Sequence, residues 1–149
     1  HERVHVKLEI EPACPAVLGD SAQLSQLLSN LFKNALQALK PEGGSISVRV
    51  ERRFVSAQDF PEGPAVPEGQ CVCLSVRDDG IGMSEGVQKR LFEPFATSKA
   101  QGTGLGLYTA YMLVRAMQGD LWLDPRAAGG TVATLRLRCA QVPTQPEAT

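Results

Sequence analysis

An amphipathic helix of about five turns is written into Ser21 to Leu39, and the rest of the chain must supply a surface for its apolar side. Asp20, followed three residues later by Gln23, is a capping-box variant that opens it, and Pro41 with Gly43-Gly44 stops it. At about 100° per residue, Leu24, Leu27, Leu28, Leu31, Ala35, Ala38 and Leu39 share one broad arc, while Asn30 and Asn34 lie side by side along its edge. A helix with one apolar side needs a second layer to cover it. Strands on either side offer one. Val4, Val6, Leu8 and Ile10 alternate with His5, Lys7 and Glu9 as a half-buried strand ended by Pro12 and Pro15. Ile46, Val48 and Val50 alternate with Ser47, Arg49 and Glu51 as a second strand that can lengthen to Val55.

The remaining pattern extends this into one domain. Ser56 to Gln70, with three prolines and two glycines, reads as an exposed hairpin connection or insertion. A strand from Cys71 to Arg77 then runs into Asp78-Asp79-Gly80-Ile81-Gly82. Ser84 can cap a short helix through about Leu91, and a helix from about Leu107 to Met117 is closed by Gly119. Asp120 to Leu137 reads as a hairpin about the turn Asp124 to Gly130. The order strand, helix, strands, helix, helix, hairpin predicts an α+β domain over 1–140: a mixed sheet covered by helices on one face. The tail 141–149 is expected to be disordered. With 149 residues and 43% apolar content, the chain can bury about two-thirds of its unfolded surface around a single core.

Charge and composition exclude several functions. Fifteen Lys and Arg against 16 Asp and Glu leave a net charge of −1, which gives no footprint for nucleic acid or for an anionic membrane surface. No apolar run approaches the roughly 20 residues of a bilayer span, and His1-Glu2-Arg3-Val4-His5 is unlike a signal sequence. A cytosolic setting is expected, and the missing initiator Met suggests a segment of something longer. Cys14, Cys71, Cys73 and Cys139 show neither CxxC spacing nor a histidine cluster, so they read as small packing side chains. Cys71 and Cys73 should share one face of their strand while Val72, Leu74 and Val76 take the other.

Three runs can carry chemistry. The carbonyl oxygens of Asn30 and Asn34, one turn apart, can project to one locus, and a hard cation such as Mg²⁺ accepts such an oxygen while keeping phosphate and water in its shell. On a helix, asparagines otherwise serve as solvated or capping groups. Asp78-Asp79-Gly80-Ile81-Gly82 sits where a strand becomes a loop, a place where a carboxylate is held rigidly and glycines let a ligand approach the backbone. Such an Asp could accept from an adenine amino group; the plain alternative is a tight turn. Gly102-Thr103-Gly104-Leu105-Gly106 precedes a helix whose N–H groups and positive end could face phosphates, with Lys99 three residues ahead. Its GxGxG spacing fits neither a dinucleotide fingerprint nor a Walker loop.

Taken in order, Asn30-Leu31-Phe32-Lys33-Asn34-Ala35, Asp78-Asp79-Gly80-Ile81-Gly82-Met83, Phe92-Glu93-Pro94-Phe95 and Gly102-Thr103-Gly104-Leu105-Gly106-Leu107 resemble the N, G1, F and G2 boxes of sensor histidine kinases. From about Val4 to Leu137 the chain resembles the ATP-binding catalytic domain of those two-component kinases. Their wider group, the GHKL ATPases, also contains gyrase-type, chaperone and mismatch-repair ATPases. The resemblance implies a Bergerat-type α/β sandwich, ATP and Mg²⁺ as ligands, and a set of roles. Asn34 matches the Mg²⁺ ligand, with Asn30 and Lys33 facing the triphosphate. Asp78 matches the carboxylate that reads the adenine amino group, Gly80 and Gly82 let the base approach, and Thr131, after Gly129-Gly130, matches the supporting hydroxyl. Phe95 to Gly104 resembles a mobile lid, Lys99 offering charge to the phosphates and Leu105 and Leu107 tying the closed lid to the pocket.

One departure separates the branches. Hydrolytic relatives carry a glutamate one turn before the metal-binding Asn, where this chain has Asn30, whose amide cannot accept a proton at neutral pH. Poor hydrolysis and retained phosphoryl donation follow, because donation needs positioning and charge neutralisation more than a base. The implied partners are an upstream dimerisation and histidine phosphoacceptor domain, making the full-length protein a homodimer, and a response-regulator receiver domain. His1 and His5 are poor stand-ins for the acceptor, so the segment alone should bind nucleotide without labelling itself. A non-catalytic nucleotide-sensing or docking module, and a serine kinase of a regulatory protein, are the competing readings.

Overall fold

The computed structural model describes residues 3–55, 69–90, 93 and 105–140. In chain order its elements are β1 (Val4–Ile10), α1 (Ser21–Ala38), β2 (Gly44–Val55), β3 (Gly69–Asp78), α2 (Glu85–Lys89), α3 (Leu105–Ala116), β4 (Asp120–Pro125) and β5 (Thr131–Arg138). The strands form one sheet in the order β1-β2-β3-β5-β4. β1 and β2 run parallel, joined by α1 as the crossover; all other neighbours are antiparallel. The expected mixed, mostly antiparallel sheet is present, with α1 and α3 packed on one face. The tail 141–149 and most of the 56–70 insertion lie outside the described residues. Gly69 and Gln70 belong to β3, paired with Val55 and Phe54.

α1 begins where its cap dictates. The Asp20 carboxylate accepts the N–H groups of Ala22 at 2.7 Å and Gln23 at 3.3 Å. Leu27, Leu31, Ala35 and Ala38 are buried, flanked by half-buried Leu24 and Leu28. Leu39, expected on the helix, is instead its extended C-cap, with its N–H on the Leu36 carbonyl. Beneath α1 lie Leu74 and Val76 of β3 and Ala133 and Leu135 of β5, and Ala110 and Val114 of α3 close the same core. α3 starts at Leu105, two residues before the expected start, because Leu107 packs against that core and draws Gly106 into the first turn. Its end differs in mechanism too. Gln118, not Gly119, takes the left-handed backbone at φ 57°. Gly119 is there for room, since a Cβ would run into the Arg136 carbonyl.

β1 departs from the sequence reading. Its pairing puts Val6 and Leu8 on the face shared with Ile46 and Val48, yet Val6, Leu8 and Ile10 are 55%, 61% and 59% exposed. The period-two pattern correctly marks a strand, but the helical layer spans the inner strands and stops short of this edge; of β1 only Val4 packs on the core. Half-burial therefore does not hold for it.

On the opposite face, Cys71 and Cys73 are buried beside Arg136, whose guanidinium stacks 4.6 Å from the centre of the Trp122 ring. All four cysteines are free thiols. Burial pushes the thiols of Cys71 and Cys73 up from their ordinary value, so at pH 8 both are held in the unreactive protonated form. Iodoacetamide at pH 8 is expected to modify Cys71 and Cys73 at least about tenfold more slowly in the folded domain than in urea, as peptide mass mapping would read. Equal rates would contradict their burial.

Candidate functional site

The site begins at the end of a central strand. Asp78 closes β3 in register with Ile46 on β2 and Thr131 on β5. Among the described residues, Asp78 and Thr131 are the two buried polar side chains, 3% and 4% exposed, on the face that carries the helices. A buried carboxylate costs several kcal/mol unless hydrogen bonds compensate it. Asp78 Oδ1 accepts the Gly80 N–H at 3.0 Å. A carboxylate and a hydroxyl on adjacent strands can together receive an amino group and orient a water beside it.

The loop after β3 is held on two sides. The Ile81 N–H donates to the Ala38 carbonyl at 2.9 Å, satisfying a carbonyl that the end of α1 leaves open. The Asp79 carboxylate accepts the Ser45 N–H at 2.9 Å, tying the loop to the start of β2. Gly80 is wedged so tightly that a Cβ would overlap the Ala38 carbonyl oxygen. Gly82 has a positive φ of 75°, and among the described residues only the Gly130 carbonyl comes near where a Cβ would stand, at 3.8 Å. There a flat ring can lie against bare backbone.

α1 links this end of the sheet to a polar row. Asn30, Asn34 and Ala38 are spaced four apart, so they form one line along the helix, with Asn34 about 6 Å and Asn30 about 12 Å from the turn that meets Ile81. Both asparagines are half-buried and Lys33 is exposed. Leu105, Gly106 and Leu107 form the first turn of α3, which packs against α1. The described residues thus bring Asp78, Gly80, Gly82 and Thr131 together and align Asn30 and Asn34 with them. Lys99, Gly102, Thr103 and Gly104 lie outside the described residues, as does the F box apart from Glu93. Among the described residues no group of three or more His, Cys, Asp or Glu could hold a metal. An amide oxygen with bound phosphates, in contrast to an acidic cage, suits a magnesium ion that keeps much of its water.

Sequence reasoning missed three contributors. Arg126 Nη1 donates to the Asp78 carbonyl at 2.8 Å, Gly130 lies so close to that carbonyl that a Cβ would collide with it, and Asp79 anchors Ser45. Arg126 is 48 residues from Asp78, so only the β3–β5 register could have paired them. No helix among the described residues is long and apolar enough to cross a membrane.

The description "Histidine kinase-, DNA gyrase B-, and HSP90-like ATPase" matches residues 19–141. Sporulation kinase E of Bacillus subtilis is 34% identical over 138 residues, covering 93% of this chain. The chain spans only 17% of that relative's length. Among solved structures, the catalytic domain of histidine kinase ThkA superposes with a TM-score of 0.71 at 26% identity, covering 91% of this chain and 79% of that one. The mycobacterial sensor histidine kinase MprB gives 0.69 at 26% identity, covering 92% and 84%. A four-box order, a sheet ending in a buried Asp beside a Thr, and these likenesses agree: the chain belongs to the histidine kinase-, DNA gyrase B- and HSP90-like ATPase family, as the ATP-binding catalytic domain of a sensor histidine kinase.

Proposed function

We propose that this domain binds ATP with Mg²⁺ and donates the γ-phosphoryl group to a histidine on a separate dimerisation and phosphoacceptor domain. In the cytoplasm of the cell, the homodimeric full-length kinase would then pass that group to a response-regulator receiver domain. The observation that carries the reading is the buried Asp78–Thr131 pair on adjacent strands, beside the end of the helix that carries the Asn30–Asn34 row. Asp78 accepts from the adenine amino group, Thr131 supports that contact, and Gly82 leaves the backbone bare for the ring; Gly80, expected to let the base approach, instead makes room for the Ala38 carbonyl. Asn34 offers its amide oxygen to the metal, and Asn30 and Lys33 face the phosphates. Phe95 to Gly104 would serve as the lid over them, with Lys99 offering charge to the phosphates, and Leu105 and Leu107 of the first turn of α3 would tie it down. Mg²⁺, when bound, neutralises charge on the phosphates. Asn30 cannot take a proton from water, so the domain holds ATP for an acceptor and hydrolyses it poorly.

The test adds the protein's own upstream helical hairpin to this domain with γ-labelled ATP. An acid-labile, alkali-stable label on one histidine is the expected result, and the domain by itself should remain unlabelled. ATP binding without any transfer to the hairpin would leave a sensing or docking module.

A further inference from the structure

We infer that Arg126 is a positioning residue for adenine selectivity, acting through Asp78 from behind the pocket; this rests on the reading of Asp78 given under Proposed function. Arg126 lies in the turn between β4 and β5. Its N–H donates to the Gly130 carbonyl at 3.0 Å and its carbonyl accepts the Gly129 N–H at 3.0 Å, so the turn is closed on itself. From that closed turn its guanidinium donates to the Asp78 carbonyl at 2.8 Å in a half-buried setting. Gly130 presses on the same carbonyl from the same turn. The peptide plane leaving Asp78 is therefore fixed by a group outside β3.

That plane sets where the Gly80 N–H stands, and this N–H holds the carboxylate. Asp78 is the last residue of β3, and the following loop turns back so that the Gly80 N–H reaches Asp78 Oδ1. Rotation of the Asp78–Asp79 peptide would leave the Asp78 Cβ in place but shift the Gly80 N–H that holds Oδ1, freeing the carboxylate to turn about its own side-chain bonds relative to Thr131. A charged donor on a partly buried carbonyl is among the stronger neutral-acceptor hydrogen bonds, and its geometry restrains that rotation. Arg126 touches backbone only, so it adds no contact to the base. It keeps the existing contact in register.

The test compares ATP with purine riboside triphosphate, which lacks the 6-amino group, by calorimetry on the whole domain with Mg²⁺. The native domain is expected to prefer ATP by roughly tenfold or more, the loss that follows when a site built to pair with an amino group meets a ligand without one. In Arg126→Met that preference should fall towards unity, chiefly through weaker ATP binding, while the deamino analogue binds as before. Arg126→Gln, whose amide can donate to the same carbonyl, should retain most of the preference. Weakening of both ligands by the same factor in Arg126→Met would mean a merely structural role and overturn the inference, as would an unchanged preference. Should the native domain itself fail to distinguish the two ligands, the adenine reading of Asp78 falls, and this inference with it. A native preference that survives in Arg126→Met removes Arg126 alone.

Discussion

Asp78→Asn is expected to weaken ATP binding by about 1–3 kcal/mol, or roughly 5- to 150-fold in affinity, while leaving the domain folded. The fold survives because an asparagine oxygen can take the place of Oδ1 and still accept the Gly80 N–H. What changes is the other position, where an acceptor becomes an NH₂ that meets the amino group of adenine donor to donor. In a site 3% exposed, neither of the two can turn to water, so the mismatch is felt in full. Titration calorimetry against ATP, with circular dichroism as the control for folding, measures it. Unchanged affinity would refute the adenine role of Asp78.

Asn34→Ala is expected to act on the metal instead of the base. Its affinity for ATP in the presence of Mg²⁺ should drop by roughly 10- to 100-fold, of the order seen when metal sites lose a supporting group, and phosphotransfer to the acceptor hairpin should fall at least as far. Affinity measured with EDTA should stay close to that of the native domain. Alanine is the better helix former, so α1 itself should be undisturbed. Equal losses with and without Mg²⁺ would show that Asn34 supports the helix or the phosphates without holding the ion.

Much of the architecture was legible because it depends on local patterns. The cap at Asp20, the 3.6-residue arc of α1 and the strand from Cys71 each follow from side-chain spacing, and the elements stand where that spacing put them apart from Leu39, which caps α1, and Gly69–Gln70, which lengthen β3. The acidic residue followed by glycines at the end of β3 was legible as a place where a strand becomes a loop, and the structure adds that Asp78 is buried there beside Thr131. Effects that arise between distant segments were not. The sequence could not reveal that the helices stop before β1, so Val6, Leu8 and Ile10 looked half-buried. Nor could it show that Arg126 reaches Asp78, since nothing near Arg126 differs from an ordinary hairpin turn. Gly119 misled in a third way: its neighbour Gln118 adopts the unusual dihedral, and the glycine makes way for β5.

β1 touches the rest of the sheet through β2 alone and keeps most of its aliphatic surface in water, whereas Asp78 stands on β3, with a strand bonded on either side. Resistance to local opening is therefore unevenly shared: the outer margin can fray at small cost while the Asp78 end of β3 stays paired. A domain arranged like this can yield to whatever pulls on its first strand without unzipping the strand that carries Asp78.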